Sequence, residues 1–259
     1  MGIPHDAILA WGALAAWTGV LLVWERVAPA VTLPRTRAWH ARVAANLALT
    51  MGVATVGELT WLPWLREVLG AGLFHVEQPW AQGALGYLLG SVVFYAWHRA
   101  RHEVRALWDL LHQMHHAPAR VEAVTAYYVH PLEAVPSSIV NALVVYGLLG
   151  GDADGLRWSI VLFSAVGLFY HSNVRTPRVL DLFVSTPELH RLHHRRGHHR
   201  WNYGDLPVWD RLFGTYRGRD EAPVGFAMGF RDELEERYAD ILLTRNVLAR
   251  PASPRPGAG

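Results

Sequence analysis

Three histidine clusters hold most of the chemistry this chain can do: His98-Arg-Ala-Arg-His102, His112-Gln-Met-His115-His116 and His190-Arg-Leu-His193-His194. His98 and His102 are four residues apart, and each trio occupies positions i, i+3 and i+4. Both spacings put every imidazole of a cluster on one face of a helix. A one-faced trio can give two nitrogens to one ion and the third to its neighbour. Eight imidazoles are more than one ion uses, so the spacing predicts a pair of metals. A lone histidine is usually a hydrogen-bonded surface or core residue, and histidine tracts that merely buffer metal are irregular. Here one five-residue spacing occurs twice in distant parts of the chain, which favours a structured site.

Two further histidines sit where they could complete the coordination. His130, in His130-Pro131-Leu132-Glu133, opens one apolar run, and His171, in Tyr170-His171-Ser172-Asn173, closes another. Each is expected either to bind metal or to hydrogen-bond a ligand from behind. His198 and His199 follow Gly197, which breaks helical register, so a loop role is expected for both. His5, His40 and His75 have no partners nearby in sequence and receive no assignment.

Imidazole alone suits zinc, copper, nickel or iron. Zinc hydrolases usually need an acidic base beside the metal, as in H-E-x-x-H. No cluster contains one; Glu103 and Glu188 fall just outside. Two irons held by nitrogen could instead activate dioxygen and take hydrogen from an unactivated C–H bond, which no side chain can do. The chain has no cysteine, which excludes disulfides, cysteine-ligated zinc and iron–sulfur clusters within it. Any electrons the site needs must come from another protein. A zinc-dependent membrane hydrolase and a metal-handling membrane protein are the rivals. The latter would carry histidines or carboxylates inside its spans, whereas these clusters lie at the ends of apolar runs.

The elements that must position these residues are apolar. Of 259 residues 51% are hydrophobic and only 18% charged, against about 25% in soluble domains, which points to one integral membrane unit. All 24 basic residues are arginine, and they flank apolar runs instead of alternating with aromatic stacking partners, so no nucleic-acid partner is expected. Five runs stand out: Ala7–Trp24, Val43–Leu65, Ala81–Trp97, Ala134–Gly150 and Leu156–Tyr170. The last is about 22 Å long at 1.5 Å per residue, so four spans with a re-entrant hairpin is the alternative to five. Arg26, Arg35, Arg37 and Arg42 follow the first run, and Arg99, Arg101, Arg105 and Arg120 follow the third. Alternate segments are basic, which predicts an outside N-terminus and cytoplasmic histidine clusters. Glu58, the one acid within a run, lies near its end and is read as structural. Leu234, Tyr238, Ile241, Leu242 and Leu248 make a stripe at helical spacing. The domain reading is an N-terminal anchor at 1–30, a catalytic unit at 31–225, an amphipathic helix at 226–250 and a disordered tail at 251–259.

With an HxxxH-type box and two HxxHH boxes, the chain resembles the fatty acid hydroxylase/sterol desaturase superfamily of membrane-bound di-iron enzymes. The flanking stretches His130-Pro131-Leu132-Glu133, Thr186-Pro187-Glu188-Leu189 and Asn202-Tyr203-Gly204 also match, as does the closing Leu206–Tyr216 segment. The resemblance implies an all-α membrane bundle of four to five spans with a cytosolic, histidine-rich helical cap. It implies two iron ions, dioxygen as co-substrate and a membrane lipid as substrate, with hydroxylation favoured over desaturation. It also implies a separate ferredoxin-, rubredoxin- or cytochrome b5-like donor with its reductase. The eight box histidines become iron ligands, joined by His171; some relatives carry another histidine where this chain has Gly167. Trp209, Asp210 and Gly214 read as architecture of the cap.

Overall fold

A computed structural model describes residues 5–70, 72–222 and 225–248 of the chain. Helices carry the fold; the one β feature among the described residues is an isolated bridge between Arg195 and Met228. Helix α1 (His5–Val27) exposes Ile8, Val20 and Val23, as a helix in apolar surroundings does. Its inner edge, Ala10, Leu14 and Leu21, packs with Val161 and Leu168, and the Trp17 indole donates to the Ala165 carbonyl at 3.0 Å. Helices α2 (Trp39–Leu59) and α3 (Trp61–Leu69) are bent by 42° at Thr60. Pro63 explains the break, because its ring would collide with the carbonyl of a straight helix one turn earlier. Gly57 lets the Trp61 ring fold back over the joint.

Helix α4 (Pro79–Glu103) carries the first histidine pair on its last turns. The second cluster lies on α5, residues 105–116, whose Trp108–His112 portion is wound as a π-helix. Helix α6 (Pro131–Leu148) leads to α7 (Ala153–His171), capped by the Asp152 carboxylate, which accepts from the backbone N–H groups of Asp154 and Gly155. The third cluster sits on the short α8 (Pro187–His193) and its C-cap.

Two helices, Asp6–Val27 and Pro131–Leu148, are long and apolar enough to cross a membrane, and the bent α2–α3 pair makes a third if it is one span. The runs expected at Ala81–Trp97 and Leu156–Tyr170 are helical but are the inner pair of the bundle. Helix α4 turns Gln82, Gly83, Gly86 and Gly90 inward, all buried, onto α7. Small residues let the two backbones approach closely, as membrane helices do where van der Waals packing drives association.

The C-terminal stripe does not form one continuous helix. It folds as two short pieces, Asp232–Glu235 and Tyr238–Leu242, and Thr244, at φ 58°, ends the second. Phe230, Ile241 and Val247 reach one apolar cluster with Trp39, Val43, Trp108, Met114 and Tyr128, and a straight helix could not deliver all three. Leu234, Tyr238 and Leu242 pack against that cluster; Leu248 is 49% exposed. The tail expected at 251–259 lies outside the described residues.

Candidate metal centre

Nine histidines meet at the C-terminal ends of α4, α5 and α7, in two groups. His98, His102, His112, His116 and His193 form the first; His115, His171, His190 and His194 form the second. Each trio divides two to one, in opposite senses: α5 gives His112 and His116 to the first group and His115 to the second, while the third cluster gives His193 to the first and His190 and His194 to the second. Adjacent residues 115 and 116 thus serve different groups.

Hydrogen bonds fix which nitrogen of several rings faces inward. Nδ1 of His98 donates to the Tyr203 carbonyl, Nδ1 of His193 to the Trp201 carbonyl and Nδ1 of His171 to the Gly167 carbonyl, each at 2.7 Å. A carbonyl only accepts, so these nitrogens carry the proton and each neutral ring turns a bare Nε2 lone pair to the centre. His98 Nε2 lies 3.1 Å from His112 Nε2, which lies 2.9 Å from His102 Nε2. His171 Nε2 lies 3.0 Å from Nε2 of both His115 and His190, and His190 Nε2 lies 3.1 Å from that of His194. The Nε2 atoms of His116 and His193 are buried with no partner at all.

His171 aims one lone pair at two ring nitrogens at once, and protons cannot satisfy such a set while the rings stay neutral. Forming imidazolium would relieve it, but burial opposes that. Burial pushes His112, His115, His116, His190 and His194 well below the usual imidazole value of 6.5, and His193 down to about 3. A cation in each group would satisfy these lone pairs instead. The ligand nitrogens of each group lie within 4.8 Å of one another, so the residues present fit a metal ion in each group.

A pH dependence follows for the metal-free protein. A histidine buried neutral must gain a proton on unfolding below pH 6.5, so the unfolded state binds more protons and stability falls as pH drops. Asp205, raised to about 7 by burial, and Asp210, also raised by burial, act oppositely, a few carboxyls against many imidazoles. Melting temperature of the chelated protein is expected to be flat above pH 7 and to fall steadily from pH 6.5 towards 4; a flat or rising profile there contradicts the neutral cluster.

The other histidines fall elsewhere. His130 belongs to neither group: its Nε2 donates to the Leu242 carbonyl at 3.0 Å and its Nδ1 accepts from the Leu132 backbone N–H at 3.3 Å. With both nitrogens engaged it ties α6 to the C-terminal segment, so the ligand role considered for it is replaced by a structural one. His199 lies at the rim, its ring 4.6 Å from that of His116, while His198 is exposed and stacked on Trp201. Gly197, at φ 74°, makes the turn between them and the third cluster. The closing motif is architecture: Asp210 accepts from the backbone N–H groups of Tyr203 and Gly204 at 2.8 Å, and the Trp209 indole donates to Ser91 on α4.

Two features were not singled out in the sequence. Arg101 lies 2.9 Å from Glu133, both buried, and Glu133 also accepts from the Trp97 indole at 2.8 Å. This pair locks the first histidine helix to the His130-Pro-Leu-Glu motif. Asp205 is 1% exposed, and neither carboxylate oxygen reaches hydrogen-bonding geometry, although the Tyr170 hydroxyl is near enough to favour its charged form. The Tyr170 ring lies 4.3 Å from that of His190. The position of Asp205 between the matched Asn202-Tyr203-Gly204 stretch and the closing Leu206–Tyr216 segment was the available signal. A cavity of about 960 Å³ lies elsewhere; Glu58, Arg66, His75, Asp152 and Arg157 are among its lining residues, and no clustered histidine is.

Comparison with known proteins adds to this geometry. The sequence profile described as fatty acid hydroxylase matches residues 83–215, half of the chain, from the buried glycines of α4 through the closing motif. The chain belongs to the fatty acid hydroxylase family. An ornithine lipid hydroxylase of Rhizobium tropici is 34% identical over 140 residues, covering 52% of this chain and 41% of that protein. The human alkylglycerol monooxygenase is 29% identical over 153 residues, 56% of this chain and 32% of the relative. A fatty acid hydroxylase of a Lecanicillium species is 30% identical over 197 residues, 68% and 49%. The chain thus spans less than half the length of each of these relatives. No solved structure matches it.

Proposed function

We propose that this fatty acid hydroxylase family member is a multi-pass membrane monooxygenase that uses two irons and dioxygen to hydroxylate a lipid. The observation that carries the reading is the convergence of nine imidazoles, eight buried and His102 partly buried, into two adjacent groups whose lone pairs face one another. His98, His102, His112, His116 and His193 would hold one iron, and His115, His171, His190 and His194 the other. When bound, the iron pair supplies the oxidising power for RH + O2 + 2 e⁻ + 2 H⁺ → ROH + H2O, which no side chain provides.

The chain's own residues do the rest. Backbone carbonyls of Tyr203, Trp201 and Gly167 hold three imidazoles in the tautomer that binds metal. Burial keeps the rings neutral and water away. The apolar exteriors of α1 and α2 face lipid, from which the substrate enters, and the arginine-flanked ends support a cytoplasmic position for the histidines. The names of the relatives, an ornithine lipid hydroxylase, an alkylglycerol monooxygenase and a fatty acid hydroxylase, support a lipid substrate. The absence of cysteine leaves these residues without ligands for an iron–sulfur cluster, which supports an external carrier as the source of electrons.

Lipid extracts from cells with and without the gene test the reading. One lipid class should differ by the mass of one oxygen, only when dioxygen is supplied and only with two irons per chain. A mass change that persists without dioxygen would instead indicate hydrolysis, and metal loading that climbs past two per chain would indicate metal handling.

A further inference from the structure

The loop at residues 195–201 joins solvent to the first histidine group in very few steps. His193 donates from Nδ1 to the Trp201 carbonyl at 2.7 Å. The Trp201 ring stacks on exposed His198, with centroids 5.8 Å apart and planes at 14°, and lies under the Arg217 guanidinium at 5.1 Å. Between them the His199 ring sits 4.6 Å from that of His116 and 5.4 Å from that of Trp108.

This patch is positive. Arg195 and Arg200 have no acidic partner within ion-pair distance among the described residues. Arg196 donates only to the backbone carbonyls of Met228, Gly229 and Phe230, which leave its charge uncompensated. Arg217 faces Glu221 at 3.4 Å in a half-exposed pair, which offsets little. Other acids of the region are engaged: Glu103 with Arg99 and Asp220 with Arg178, each at 2.7 Å. Like-signed charge around a single aromatic entry point is what steers an oppositely charged protein onto one spot.

We propose that residues 195–201, with Arg217, are the docking surface for an acidic one-electron carrier protein, and that Trp201 and His193 form the route by which its electron reaches the metal centre. The proposal rests on the oxygenase reading above. Two reduced carriers are oxidised in turn per turnover, each giving one electron; of the two oxygen atoms reduced, one enters the lipid and the other leaves as water with two protons.

The test uses iron-loaded enzyme in phosphatidylcholine nanodiscs and an acidic [2Fe–2S] ferredoxin as probe. Ferredoxin binding and the anaerobic re-oxidation of reduced ferredoxin are measured separately. The double variant Arg195→Glu/Arg200→Glu is expected to bind at least about ten-fold more weakly at low salt, a gap that narrows near 0.5 M salt, where screening is strong. Trp201→Leu is expected to keep binding while slowing re-oxidation. Unchanged binding in the double variant overturns the proposal. So does an equal loss in Arg35→Glu/Arg37→Glu, which would make the attraction one of overall charge. Dithionite should reduce wild type and variants alike; if it reduces none of them, the iron reading fails instead of the docking surface.

Discussion

Replacing either His115 or His116 with alanine is expected to remove one of two bound irons and to abolish lipid oxidation, although the residues are neighbours in the chain. His115 Nε2 stands 3.0 Å from His171 Nε2 in the second group; His116 Nε2 is a buried, partnerless atom of the first. Each substitution opens one group and leaves the other complete, so iron content should fall from two per chain towards one in both. Loss of a residue that only supports a ligand already costs about 10–100-fold in metal affinity or activity, so loss of a ligand should lower turnover at least about a thousand-fold. His130→Ala is the internal contrast. It forfeits hydrogen bonds to the Leu242 carbonyl and the Leu132 N–H, about 1–2 kcal/mol of stability, and should retain two irons. Iron analysis of purified protein beside mass spectrometry of the lipid product separates the three. Retention of both irons with full turnover in His115→Ala or His116→Ala would remove that residue from the centre. Loss of iron in His130→Ala would restore it as a ligand.

His130 and His171 show what sequence could and could not say. Both stand at the end of an apolar run, and the sequence alone treats them equally. His171 closes a helix, where its Nδ1 reaches the carbonyl of Gly167 one turn back and its Nε2 is thrown forward. His130 precedes Pro131, which holds it extended at φ −62° and ψ 133°, so its ring folds over the next turn and accepts from Leu132. The difference lies in backbone conformation, which depth along a run does not report. The box histidines were legible because helical periodicity alone puts them on one face. Their division between two groups depends on how α5 and α8 lie relative to each other, and only the fold supplies that.

Apolar runs had a similar limit. Composition identifies α1 and α6 because their surroundings are apolar on most sides, but α4 and α7 face one another and carry polar and small residues inward. The stripe of Gly83, Gly86 and Gly90, at i, i+3 and i+7, was the sequence's own sign of an inner helix. The C-terminal stripe had the right apolar residues in a helical order, yet tertiary packing divided it, since local pattern yields where a core must be filled from several directions.

That glycine stripe is expected to control the metal centre from a distance. A Cβ at position 83 would overlap the Cβ of Trp158 and stand 2.9 Å from its carbonyl carbon and 3.0 Å from the Ser159 nitrogen, so backbone would have to yield. At position 86 the obstacles are Val145 Cγ2 at 2.8 Å and Ser159 Oγ at 3.1 Å; at 90 they are ring-edge atoms of Phe163 at 3.2 and 3.3 Å, which can shift. Overpacking of this kind typically costs about 1–3 kcal/mol, and Gly83→Val should be at or beyond the top of that range because no rotamer relieves it. Gly86→Ala and then Gly90→Ala should cost progressively less. Position 83 is 15 residues from His98, about 22 Å along α4, so a small tilt forced at the crossing becomes a larger displacement of His98 and His102 relative to His171 on α7. Gly83→Val is therefore expected to melt well below wild type in detergent and to purify with less than two irons, although it touches no histidine. Gly90→Ala should keep both. A Gly83→Val protein with wild-type melting and full iron would mean that the α4–α7 crossing is looser than its backbone distances require, and that the histidine groups are held in register by α5 and α8 alone.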